Sequence, residues 1–125
     1  MSEARDRGTA TRRAVLGDAH VDRAEANRTE FDAAFQDLIA ESAWGRVWSG
    51  DAITPRERSM LTVALLAALG NEDELALHLR ATRNTGASPA DVREALLHVA
   101  IYAGVPRANT AFRLAREILG GLDDG

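Results

Sequence analysis

The chain has 125 residues, 46% of them hydrophobic, and a formal charge of −4 with a pI near 5.3; that length suits a single domain over 1–125, with loose ends at 1–9 and 121–125. The acidic balance argues against a general nucleic-acid binder, which needs a basic face. The absence of cysteine excludes disulfides, thiolate metal sites and thiol catalysis.

In chain order, Ala10 to Leu16 reads as a short helix closed by Gly17. The run Arg12-Arg13-Ala14-Val15-Leu16 has the look of an export signal, but Asp18, His20 and Asp22 follow where apolar residues would be needed. No stretch approaches the ~18 apolar residues of a membrane span, so no membrane partner is expected and the cytoplasm is the default location. Asp18 to Arg23 reads as a polar connector, and its His20 as a solvated or capping residue or a site residue. Asn27 can cap a second helix, with Glu30 as its reciprocal partner. Phe31, Phe35, Leu38 and Ile39 recur at helical spacing after it. Both tryptophans, Trp44 and Trp48, follow beside Gly45. They can be core or interface anchors, or the walls of a pocket.

Thr54-Pro55-Arg56-Glu57 is a helix start of the cap-then-proline kind. The run SMLTVALLAAL from Ser59 to Leu69 is apolar almost all round and predicts a central buried helix. Arg58, at its charged start, opposes the helix dipole and calls for a carboxylate partner, from the protein or from a substrate. Asn71 to Gly86 predicts a helix with acids first, arginines later and a glycine stop. Within it Glu74 and His78 lie one turn apart on the same side, beside a strip of Leu75, Leu79 and Thr82 expected to face the interior, so they are a partly buried acid–base couple aimed at the core or an ordinary surface pair.

Ser88-Pro89-Ala90-Asp91 repeats the helix-start signal, and Val92, Ala95, Leu96 and Val99 supply an apolar face. His98 and Tyr102 share one side of that helix; His98 reads as a core histidine or a site residue. A last helix follows Gly104-Val105-Pro106 and is expected to stop at Gly120-Gly121, leaving a frayed tail from Leu122. There is no period-two strand pattern and no repeat, so the expected fold is all-α, with about five or six helices in a compact bundle. Phosphate loops, the G-x-S-x-G elbow and paired histidines at metal spacing are all missing, so no metal and no cofactor is expected.

Four motifs carry a resemblance over about 11–119: RRAVLGDAHVDR from Arg12, WGRVW from Trp44, RERSMLTVALLAALGNEDELALHLRATRNTG from Arg56 and HVAIYAGVPRANTAF from His98. With them the chain resembles the carboxymuconolactone decarboxylase family, within the alkylhydroperoxidase D-like superfamily, and its true decarboxylases in particular. Related disulfide reductases carry C-x-x-C before the matching histidine. Asn71 and Glu74 stand at those positions here, and His78 matches the histidine. The resemblance implies an oligomer, most often a hexamer, and a cofactor-independent carboxy-lyase of protocatechuate catabolism acting on a small dicarboxylate lactone. It would convert 4-carboxymuconolactone to 3-oxoadipate enol-lactone and CO2 in the β-ketoadipate pathway. For that reaction our own assignment of roles, beyond what the resemblance implies, expects His78 to donate the proton, oriented by Glu74. Arg58 and His20 are expected to bind carboxylates, His98 to face the lactone carbonyl, and Trp44 and Trp48 to exclude water. Two alternatives stand beside it: a cysteine-free relative acting on another lactone or keto acid, and a non-catalytic helical oligomer module.

Overall fold

The computed structural model describes residues 2–123, with side chains through residue 120. Met1 and residues 124–125 lie outside the described residues, and so does that part of the expected loose ends. The fold is all-α, as expected: among the described residues there are seven α-helices, one π-helix and no strand. None of these helices is long and apolar enough to cross a membrane. The chain gathers into two compact units, Met1–Thr54 and Pro55–Gly125.

The first unit departs most from the sequence reading. Helix α1 spans Glu3–Leu16 and so begins well before Ala10. The Ser2 hydroxyl accepts the Arg5 N–H at 3.0 Å, and Glu3 and Asp6 in the first turn suit the dipole. The expected loose start is therefore a capped helix. Gly17, at φ 91°, turns the chain directly into α2, Asp18–Ala26. The expected connector is thus helical. Its polar residues form an outer face, Val21 alone is fully buried, and Arg13 clamps the junction through Asp18 at 3.0 Å and Asp22 at 2.9 Å.

Asn27 closes α2 rather than opening the next helix. Asp32 takes the N-cap place of α3, Ala33–Ile39, without a side-chain capping bond, and its carboxylate accepts the Thr29 N–H of the preceding turn at 2.9 Å. Without a break α3 winds into the π-helix Ala40–Trp48, a rare form that often accompanies function. Helix α1 packs on this π-helix through two glycines. A Cβ on Gly8 would collide with the Ala40 carbonyl oxygen, and one on Gly45 with the Ala4 carbonyl oxygen. Backbone thus meets backbone. Arg7 Nε donates to the Gly45 carbonyl at 3.1 Å, and the Thr11 and Ser49 hydroxyls meet at 2.7 Å.

The second unit follows the sequence reading closely. Its helices are α4 (Pro55–Leu69), α5 (Glu72–Thr85), α6 (Pro89–Tyr102) and α7 (Val105–Asp123). Val63, Leu75, Leu79, Val92, Leu96 and Val99 fill the core. Ser88 and Asp91 form a full capping box at the start of α6. Asp91 also receives both Arg56 Nε and an Arg56 terminal nitrogen at 2.7 Å. That guanidinium, with help from the Ser88 N–H, holds the Asp91 carboxyl well below the usual carboxylate range.

Two expectations fail here. Helix α4 is not buried all round: Ser59, Val63 and Ala67 face the core, while Leu61, Leu65 and Leu69 are exposed. An apolar cylinder needs neighbours on every side, and one chain supplies them on one side only. The pair Gly120-Gly121 does not stop α7, which continues to Asp123. Glycine lowers helix propensity by only ~1 kcal/mol, too little to end a helix by itself.

Candidate active site

The turn between α4 and α5 consists of Gly70 and Asn71, so the two helices run antiparallel. Gly70 adopts φ 75°, and a Cβ there would collide with the Arg107 guanidinium. Counting outward from the turn, Val63 stands level with His78, and Ser59 with Thr82. All four are buried. His78 is 7% exposed and its Nδ1 is closed to solvent. Glu74, one turn earlier, is exposed. The couple therefore crosses the surface of the unit, with the imidazole inside and the carboxylate outside.

Arg58 is half-buried near the start of α4, and its Nε is shut off from solvent with no hydrogen-bond partner among the described residues. Among the described residues Arg58 makes no ion pair with the protein carboxylate that its position called for; Asp91 binds Arg56 instead. A buried donor without an acceptor is costly and demands an explanation. Ser59 presents the same problem. It is 0% exposed, and its Oγ has no partner among the described residues either. Sequence reasoning missed Ser59. Its only signal was a hydroxyl inside the apolar run of α4.

His98 is exposed on α6 and stacked on Tyr102, with ring centroids 6.4 Å apart and planes 11° apart. The core-histidine reading is therefore overturned: its position on α6 points away from the stripe of Val92, Leu96 and Val99. His20, half-buried on α2, belongs to the first unit. So do Trp44, 6% exposed, and the half-buried Trp48, whose rings lie 5.4 Å apart at 34°. Both lie on the π-helix, and the Ser49 hydroxyl bonds the Trp44 carbonyl at 2.7 Å.

The start of α5 is strongly acidic. Glu72, Asp73 and Glu74 line an open hollow of about 400 Å³ with Gly70 and Asn71. Among the described residues no group of three or more His, Asp or Glu side chains is placed to hold a metal ion. What the second unit gathers is a buried imidazole, an exposed carboxylate and a guanidinium with an unanswered donor. Such a set can bind an acid and move a proton.

Residues 33–117 match the carboxymuconolactone decarboxylase family. The chain belongs to that family. The matched region begins at α3 and ends within α7, so it includes every candidate residue except His20. The chain is 43% identical over 115 residues to a 4-carboxymuconolactone decarboxylase of Acinetobacter baylyi, covering 92% of this chain and 86% of the relative. It is 36% identical over 119 residues to a nitrosuccinic acid decarboxylase of Metarhizium robertsii, covering 95% and 83%. A 4-carboxymuconolactone decarboxylase sequence of Pseudomonas putida is 50% identical over 40 residues, 32% of this chain and 83% of that sequence.

Proposed function

We propose that this protein is a cofactor-independent 4-carboxymuconolactone decarboxylase, releasing CO2 and 3-oxoadipate enol-lactone in protocatechuate catabolism in the cytoplasm. The observation that carries the reading is the presence, within one compact unit, of a buried His78 and of an Arg58 whose buried Nε has no acceptor among the described residues. The family relationship supports it.

The substrate supplies its own electron sink. Its departing carboxylate sits on a ring carbon conjugated through C=C to the lactone carbonyl. When CO2 leaves, the C–C bonding pair flows into that carbonyl and forms a dienolate. A proton delivered to the carbon beside the carbonyl then gives the enol-lactone. The protein must bind a dianion, stabilise the new oxyanion and deliver one proton. Arg58 binds one carboxylate and His20 the other. His78 donates the proton with Glu74 orienting it. His98 serves the carbonyl, and Trp44 and Trp48 exclude water. The chain acts as a homo-oligomer, a hexamer. Exposed Leu61, Leu65 and Leu69 on α4 support assembly, since such apolar faces mark interaction surfaces. Light scattering showing a monomer at micromolar concentration would overturn that part.

The nitrosuccinic acid decarboxylase relative supports a second reading, in which the substrate is another acid. Both named substrates lose CO2 from a carbon joined to an electron acceptor and to a retained CH2–COO− arm. Incubation with 4-carboxymuconolactone, and separately with nitrosuccinate, while CO2 is followed, decides between the two. Release from the lactone alone supports the first reading, and release from nitrosuccinate alone the second. Release from neither leaves a relative acting on another lactone or keto acid, or a non-catalytic helical module.

A further inference from the structure

Helices α6 and α7 leave a groove of about 310 Å³ in the second unit, with Val92, Leu96, Phe112, Ala115 and Leu119 among its lining residues. Arg93, from α6, and Arg116, from α7, stand on its two sides. Arg93 meets only its chain neighbour Glu94, at 3.5 Å, and Arg116 makes no ion pair among the described residues. An apolar floor between two available guanidinium groups fits an apolar ridge with acids beside it.

The first unit carries such a ridge. Phe31 is 98% exposed, Phe35 60% and Leu38 61%. Phe35 and Leu38, three residues apart on α3, share a side of that helix, and Phe31 stands in the turn just before it, so the three together offer an apolar edge of the kind that seats in a groove. Acids stand at both ends. Glu30 adjoins Phe31 and makes no ion pair among the described residues, while Glu41, beyond Leu38, meets Arg46 only at 3.5 Å.

We propose that the Phe31–Phe35–Leu38 ridge of one copy docks in the α6–α7 groove of a second copy. Every chain then offers one ridge and one groove. A contact of this head-to-tail kind repeats from copy to copy and closes into a ring when the rotation allows. Glu30 and Glu41 approach Arg93 and Arg116 at the rim. There charge fixes register and direction more than it adds affinity. The inference rests on the homo-oligomer reading and specifies its contact; the catalytic reading is independent of it.

The chain has no cysteine, so introduced thiols report without background. Full-length chains carrying Phe35→Cys are mixed with differently tagged full-length chains carrying Leu119→Cys and treated with a short bis-maleimide. The expected product is a covalent dimer holding one chain of each kind, with the linkage at 35 and 119 shown by peptide mass spectrometry. Adding Arg93→Glu and Arg116→Glu to the Leu119→Cys chain should lower its yield several-fold. A double variant, Phe35→Cys with Leu119→Cys, diluted into excess unmodified chain, covers the other arrangement. Closure only within one chain overturns the proposal. An oligomer by light scattering that forms no 35–119 cross-link overturns the docking and leaves the assembly standing, while a monomer overturns both. CO2 release from 4-carboxymuconolactone, measured on the same unmodified protein, tests the catalytic reading separately.

Discussion

Arg58→Met separates a binding arginine from a structural one. The guanidinium is half-buried, and its Nε is closed to water without an acceptor. An unsatisfied buried donor costs about 1–3 kcal/mol. Methionine keeps the apolar stem and removes that donor, so the free protein should hold its Tm or gain a few degrees. In the proposed substrate complex the same Nε finds a carboxylate. A hydrogen bond to a charged group is worth about 1.5–3 kcal/mol, so its loss should raise KM roughly 10- to 150-fold. The effect on kcat should be smaller, because in the proposed mechanism Arg58 holds the acid and takes no part in proton transfer. Steady-state CO2 release gives the split, and a thermal melt gives the stability. A Tm lower by many degrees with unchanged KM would refute the reasoning, since Arg58 would then be holding the fold and not the substrate.

For the acid–base pair, His78→Gln removes the titrating proton at similar size and should lower kcat roughly 10²- to 10⁴-fold. Glu74→Gln should cost only a few-fold, because a solvent-facing carboxylate interacts weakly; full kcat in a folded, oligomeric His78→Gln protein would make the pair structural. Gly8→Ala sets a Cβ against the Ala40 carbonyl and 2.7 Å from Gly45 N. Backbone cannot rotate away, so the cost should reach or exceed the upper part of the ~1–3 kcal/mol typical of overpacking. Trp44 and Trp48 sit on the same π-helix, and their fluorescence should report the loss directly. The Asp91 carboxyl is held low by Arg56, so its stabilisation is complete above the unfolded value of about 3.9 and fades as pH falls below it. Asp91→Asn should therefore lower Tm at pH 7, with the gap to the unmodified protein narrowing below about pH 4; a gap independent of pH would remove the Arg56 pairing as its cause. In D2O one deuterium should enter the enol-lactone at the carbon beside the carbonyl with a single handedness. Label on the carbon that lost CO2, read by NMR before exchange, would rule the route out.

The second unit was legible because its signals are local and agree with one another. Ser88, Pro89 and Asp91 form a capping box wherever they occur before an apolar periodic run, and α6 obeys. Gly86 ends α5 at φ 87°, as a left-handed stop must. The first unit was less legible because its helices bury very little. With Val21 as its one buried residue, α2 has no apolar stripe to betray it. Asn27 is as suited to ending a helix as to starting one, and only the chain around it decides. The π-helix has no sequence mark at all, and the close approach of α1 to it at Gly8 and Gly45 is a tertiary contact that local spacing does not announce.

The site was half legible for the same reason. Spacing put Glu74 and His78 on one side of a helix, but spacing says nothing of depth. Depth comes from the turn at Gly70 and Asn71, which lays α5 along α4 and sinks His78 level with Val63 while Glu74 stays in water. The division suits the proposed chemistry. A proton donor inside a dry wall acts with little competition from solvent. A carboxylate left outside can orient it without adding a buried negative charge to the two that the substrate already carries. Ser59, on the buried side of α4 and one turn of that helix from the level of His78, was invisible for the opposite reason. In the sequence it is a small residue in an apolar run, and only burial turns its hydroxyl into a donor that must be answered.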